Sequence, residues 1–267
     1  MSFSGFRVLR TFALLMSLFL VTAFSFAQTA DKETHVGLKV GISLPNILGS
    51  SDQEITKDYK SRIAPNFGGF VDVGLTRHLS IQAGLDYASQ GGKRNGVQPI
   101  TATIPGLPTL PPGQYFFADF KNTAKLDYLE VPVMAKYRFK KDKKIGYYVN
   151  AGPYFGFLMK ATTVTKGSST IYVDKNRTPL LLPPVGTPFP VIPFDAKTDV
   201  TDDLNRFNFG ITGGGGITFP AKGNYFFIDA RGSYGLTTLQ KDTINDGKSR
   251  TGNLVISFGY AFKIKGN

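Results

Sequence analysis

Cysteine is absent from all 267 residues, which removes disulfides, thiol chemistry and any lipidation site on sulfur. Tryptophan is absent too, so an aromatic belt would have to come from the 23 phenylalanines and 12 tyrosines. Histidine is nearly absent: His35 and His78 are a thin supply of the commonest general base. Beyond Ala27 no stretch of about 18 apolar residues occurs, so no helical membrane span is expected there. Acidic residues are the minority, 19 against 31 lysines and arginines, for a formal net charge of +12. A chain of that sign meets anionic surfaces such as lipid phosphates or acidic polymers.

What is present begins with Arg7 and Arg10, an apolar run over 12–24 broken by Ser17 and Thr22, and the small-residue pattern Ser25-Phe26-Ala27. This is the layout of a secretory signal peptide, and the run is short of the roughly 20 residues of a helical span. The expected division is 1–27 as signal, cleaved after Ala27, and 28–267 as one exported domain, with an uncleaved anchor as the alternative. Nucleic acid is not an expected partner of an exported chain.

Eight segments alternate with period two and predict strands: 35–43, 63–75, 79–89, 125–139, 146–159, 205–219, 225–236 and 250–263. Short connections (76–78, 140–145, 220–224) alternate strictly with long ones (44–62, 90–124, 160–204, 237–249). The ends of a soluble sandwich are equivalent, and nothing there imposes such alternation. A closed antiparallel up-and-down transmembrane β-barrel does, with tight turns on the periplasmic side and long loops outside. Ten strands stay open if 160–173 holds a further pair. Five prolines in 99–112 and six in 179–193 lie in long loops, where they break no strand ladder. Their apolar surroundings suggest stiff segments that fold over the mouth or meet a partner.

Sorting each strand by face sharpens this. One face is apolar, for example Val36, Leu38, Val40 and Ile42, or Leu254, Ile256, Phe258, Tyr260 and Phe262. The other carries glycine, small polar residues and a balanced set of charges: Lys39, Asp72, Asp86, Glu130, Lys136, Arg138, Asp229 and Arg231. Four cations and four anions on one face predict mutual pairing in a closed lumen, where an unpaired charge is expensive. Aromatics at the strand ends, Tyr137, Phe139, Tyr147, Phe219, Tyr225 and Phe226 near the short turns, and Tyr87, Phe155, Phe157 and Phe207 near the long loops, suggest two girdles. Pro132 stands in mid-strand, where a barrel has no edge to receive it, and predicts an inward bulge beside Glu130.

Val36-Gly37-Leu38-Lys39-Val40-Gly41, Tyr128-Leu129-Glu130-Val131-Pro132 with Lys136-Tyr137, Ala151-Gly152-Pro153-Tyr154, Phe227-Ile228-Asp229-Ala230-Arg231 and Phe258-Gly259-Tyr260-Ala261-Phe262 together resemble the PorT-like outer-membrane β-barrel proteins, often called porin-family proteins. The resemblance covers the mature chain and implies an eight-stranded barrel, integral to the outer membrane of a Gram-negative bacterium and inserted by the barrel assembly machinery. Its namesake branch acts in a secretion and gliding apparatus. One departure is the tail Lys263-Ile264-Lys265-Gly266-Asn267 in place of a terminal aromatic, so that the insertion signal is either read internally at Phe262 or tolerates the tail as a short extension.

No catalytic constellation, cofactor or metal site is expected. His35 and His78 fall at the periplasmic rim, where solvated side chains are the plain reading. Gly213 to Gly216 lacks the Lys-Ser/Thr of a phosphate loop and reads as barrel curvature. Asp199, Asp202 and Asp203 match no calcium-loop spacing and read as a solvated turn. Lys60, Arg62, Lys93, Arg94, Lys121, Lys125, Lys160, Arg206 and Arg250 bracket the external rim and suit lipopolysaccharide phosphates, beside the plain reading that they keep the loops soluble. Eight strands leave a lumen that side chains can fill. The sequence therefore predicts a plugged, non-enzymatic structural or interaction module whose external loops meet lipid or a protein partner. A narrow channel and a surface enzyme acting on lipid are its rivals.

Overall fold

The computed structural model describes residues 33–49, 54–111, 113–139, 145–183, 186–244 and 246–264. The expected signal segment, most of the lysine-rich turn and the last three residues lie outside the described residues.

Eight long strands form: β1 (Thr34–Ser43), β2 (Ala64–Gly74), β3 (Leu79–Pro99), β4 (Phe117–Phe139), β5 (Gly146–Lys166), β6 (Phe207–Ala221), β7 (Asn224–Gly235) and β8 (Ser249–Ile264). Each pairs antiparallel with the next. The ring closes because β8 returns to β1, with Leu38 opposite Tyr260 and Val40 opposite Phe258. Two four-residue strands lie outside the ring: Asn46–Gly49 on the upper end of β8 and Ala196–Asp199 on the upper end of β5. The count is therefore eight, not ten.

The apolar face points outward. Leu38 is 64 % exposed and Phe155 52 %, whereas Lys136 and Asp72 on the opposite face are 2 % and 0 % exposed. Only a barrel that presents its apolar side to lipid distributes these residues this way. Tyr225 departs from the expected girdle, for it is buried in the lumen beside Phe227. Its neighbour Phe226 remains outside, against Tyr260 at 4.5 Å.

Three strands run well past their expected upper ends. The reading of 90–124 as one loop is corrected: pairing of β3 with β4 continues through Lys93 with Thr123 to Pro99 with Phe117. β4 and β5 stay paired up to Lys121 with Lys166. Above the membrane these strands form an external sheet.

The expected bulge at Pro132 is also corrected. Register is the same on both sides of it, Ala83 facing Val133 and Asp86 facing Glu130. Pro132 stands beside Gly84, whose missing side chain leaves room for the ring. A missing N–H then costs one rung without displacing the strand. The register shift in this region lies higher, at Asp127/Tyr128, where β5 holds Met159 as the extra residue.

Between β6 and β7 the turn has two central residues, Lys222 (φ 50°) and Gly223 (φ 88°). Two positive φ values in a two-residue loop match the twist of the hairpin.

Candidate functional site

The lumen is filled in layers. Nearest the periplasm, Asp72 accepts from Lys136 Nζ at 2.9 Å and Arg138 Nη2 at 2.8 Å, with Tyr225 Oη at 3.4 Å. His35 was expected in solvent at this rim, but it is buried. Its ring packs on Tyr225 at 5.0 Å between centroids, and Nε2 lies 3.3 Å from the Gly223 carbonyl oxygen. His78 does lie in the exposed turn, stacked on Tyr137.

One layer up, Tyr148 Oη donates to Asp229 at 2.7 Å, Arg231 stands 3.0 Å from the same carboxylate, and Lys136 Nζ lies 4.1 Å from the centre of the Tyr148 ring. Above that, Lys39 Nζ meets Asp86 at 2.7 Å, and Gln90 Nε2 donates to Glu130 at 2.7 Å. A cavity of about 20 Å³ remains here, bordered by Lys39, Asp86, Glu130, Asp229 and Arg231. That is room for about one water molecule. Tyr154, Asn208 and Thr251 close the next layer, with Asn208 Nδ2 donating to Thr251 Oγ1 at 2.9 Å. Arg62 caps it through Ser89 Oγ and the Gln90 carbonyl, both at 2.7 Å.

The geometry of these pairs follows from the ladder. Lys39, Gly68 and Asp86 occupy one row across β1, β2 and β3, so the lysine reaches its partner over a glycine. Tyr148, Gly216 and Asp229 repeat this across β5, β6 and β7. A Cβ at Gly68 would collide with Asp86, and one at Gly216 with Tyr148. Gly213 to Gly216 thus belong to a strand paired on both sides, Gly214 facing Asn150 and Arg231, and their N–H groups serve the ladder.

All eight charges named from the sequence therefore share the lumen. Of the eight, Glu130 alone has no ion pair among the described residues and accepts instead from the neutral Gln90. Gln90, Tyr148, Tyr154 and Tyr225 were missed as members of the network. The signal for Tyr148 was its place on the same face as Asn150, and for Gln90 a continued alternation past Ser89.

Outside the barrel, Asp199 Oδ1 accepts from the Thr201 N–H at 3.0 Å and Asp202 pairs with Arg206 at 2.6 Å. Among the described residues no cluster of metal-ligating side chains forms. The rim cations divide. Arg62 and Arg94 are buried, the latter donating to the Glu54 carbonyl at 2.9 Å. Arg250 lies on the Tyr234 ring, while Lys60, Lys93, Lys121, Lys125 and Lys160 are exposed. The proline-rich loops pack inward on the external sheet, where Phe120 stacks on Phe194 at 4.9 Å and Ile171 and Phe189 complete a small core. Residues 100–104, 107–111 and 113–116, with Ile244 and Asp246, border a further cavity of about 340 Å³.

A family model described as "Outer membrane protein beta-barrel domain" matches residues 26–241. Among solved structures, the attachment invasion locus protein Ail of Yersinia pestis is 14% identical, with 86% of this chain and 99% of that one covered at a TM-score of 0.37. OprG of Pseudomonas aeruginosa is 7% identical, with coverage of 89% and 99% and a TM-score of 0.39. Neisserial surface protein A is 10% identical, with coverage of 86% and 97% and a TM-score of 0.37. The comparison with curated proteins returned no match.

Proposed function

The chain belongs to the outer membrane protein beta-barrel domain family, and from that premise we propose that this integral outer-membrane protein is a non-enzymatic interaction module. In this reading the barrel is a sealed pedestal, and the long loops on its external sheet are the working surface. The observation that carries it is the lumen. Paired charges and tyrosines occupy every layer, and the cavity among them holds about 20 Å³. A solute path would have to separate buried ion pairs, which costs several kcal/mol for each ion left unpaired.

Catalysis at the external surface would require acid–base groups there. His35 and His78 both lie at the periplasmic end, and this favours the non-enzymatic reading. Within the family we place the chain in the PorT-like branch, on its Tyr128–Pro132 and Phe227–Arg231 segments. Its partners are outer-membrane lipid, a protein that docks on the loops, and the barrel assembly machinery during insertion.

Planar-bilayer recordings of the purified protein test the sealed lumen. Silence is expected, and stable nanosiemens-scale openings would replace this reading with a narrow channel. Crosslinking on intact outer membranes, followed by mapping of the linked residues, tests the loops. Crosslinks are expected at 100–116 and 167–206, and crosslinks confined to the periplasmic turns would reject the loops as the working surface.

A further inference from the structure

We propose that the cavity between the loop after β3 and the loop before β8 binds a small organic amine, an ammonium group carried on a short apolar chain. This deepens the reading of the external loops as the working surface, because it names the chemistry that one part of that surface recognises.

The walls of the cavity come from the proline-rich loop. The Leu107 N–H donates to the Ile104 carbonyl at 3.1 Å around Pro105 and Gly106, and φ at Gly106 is 87°. The Gln114 N–H donates to the Pro111 carbonyl at the same distance, with Gly113 at φ 84°. A proline followed by a glycine at positive φ inside such a hydrogen bond is the pattern of a type II turn. Proline fixes φ before any ligand arrives, so these walls are preformed and binding loses little entropy in ordering them. Ile104, Leu107 and Phe116 line the floor, packed on the small core of Phe120, Ile171 and Phe189. Thr101, Thr103, Thr109 and Gln114 make an exposed rim. A volume of about 340 Å³ lies within the range of small-molecule sites.

The charge at the mouth comes from the other loop, which Asp242 holds in shape. Its Oδ1 accepts from the Ile244 N–H at 3.0 Å, and its carbonyl accepts from the Asp246 N–H at 3.1 Å. Ile244 and Asp246 thereby come to border the cavity. Ile244 is 90% exposed, more than any other large apolar side chain among the described residues, and a guest in the cavity gives it an apolar neighbour. No cation and no hydrogen-bond donor among the described residues engages the Asp246 carboxylate. Burial, and then the charges of Asp242 and Asp203, push its pKa up. In a chain of net charge +12 this corner holds an excess of negative charge beside apolar walls. A metal ion such as calcium needs six or more oxygen ligands, whereas this cavity offers one carboxylate. An ammonium group needs one, and its apolar chain matches the floor.

The test is equilibrium dialysis of hexylamine, hexanol and hexanoate against the full mature chain in phosphatidylcholine nanodiscs, with empty discs as the blank. Hexylamine should be retained above the blank and ahead of both hexanol and hexanoate. Propylamine, shorter by three methylenes, should bind on the order of fiftyfold more weakly, at about fourfold for each methylene buried. D246N should bind hexylamine on the order of fivefold more weakly and so lose its preference over hexanol. I244K changes an exposed position, sets an ammonium group beside Asp246, and should have the same effect. Both variants should keep the folded gel band, and K222Q in the periplasmic turn should bind as the wild type does. Retention no greater than that of empty discs, equal retention of hexylamine and hexanol, propylamine bound as tightly as hexylamine, or an undiminished preference in D246N would each overturn the proposal. Silent bilayers with no amine bound would reject this site alone, and nanosiemens-scale openings with amine bound would reject the sealed pedestal alone.

Discussion

Replacing Lys39 with methionine should be far more damaging than its single ion pair suggests. Asp86 is directly opposite Glu130 across the β3–β4 ladder, so two carboxylates face each other inside the lumen. Lys39 Nζ, at 2.7 Å, is the cation on Asp86, and Asp86 Oδ1 has no hydrogen-bond partner among the described residues. The side chains of Lys39 and Asp86 are 4% and 7% exposed, so water screens them little. Methionine fills nearly the same space and leaves the carboxylate unpaired, which costs about 3–5 kcal/mol. The double variant K39M/D86L removes both charges and should recover most of that loss, since a buried pair exchanged for apolar residues is near neutral or better. The coupling between the two positions should then exceed about 2 kcal/mol. The chain has no tryptophan, so the folded fraction is best read as the unheated gel band across a urea titration. Losses below about 1 kcal/mol for each single variant, the figure for solvated pairs, would refute the buried network and favour a water-filled channel.

Other perturbations probe separate parts of the same argument. Valine at Gly216 would drive its side chain into Tyr148 and the Ile228 carbonyl, and it should cost about 1–3 kcal/mol in the same titration. Alanine at Gly223 should cost about 1 kcal/mol or more and slow refolding into micelles, because φ there is 88°. Y148A empties the central layer, and small conductance steps should appear where the wild type is silent. At the external rim, burial raises the pKa of Glu54, but hydrogen bonds and charge from Lys175 and Lys57 outweigh it and leave the carboxyl below its usual value. A depressed carboxyl stabilises above its unfolded pKa and loses that contribution as pH falls through the folded value. The tether between Glu54 and Lys175 should therefore hold at neutral pH and release in acid below the usual carboxylate range, seen as faster limited proteolysis within 167–206 that E54Q shows already at neutral pH.

Alternation was legible wherever the two faces of a strand meet media of opposite polarity. From Leu38 on β1 to Phe262 on β8 lipid lies outside and polar packing inside, and the period-two pattern marks the strands directly. Above Leu129 the meaning of the pattern inverts. Lys121 and Lys125 now point out, while Phe120 and Leu126 point in beneath the loops. The upper parts of β3, β4 and β5 obey the rule of a soluble sheet, and a reader applying the membrane rule takes them for loop. The register shift at Asp127/Tyr128 sits at this inversion.

The charged lumen was legible as a set but not as pairs, and the reason is geometric. Neighbouring strands place directly opposed residues about 4.5–5.5 Å apart, yet two of the pairs here reach two strands over. Lys39 meets Asp86 across Gly68, and Tyr148 meets Asp229 across Gly216. Such a bridge requires a long side chain, a residue without a side chain and an acceptor in one row of the ladder. Register alone can align three strands that way. Gly216, which read as curvature, and Gly68 are therefore the gaps through which the plug is wired, and a side chain at either position should disconnect the network as surely as removing a charge.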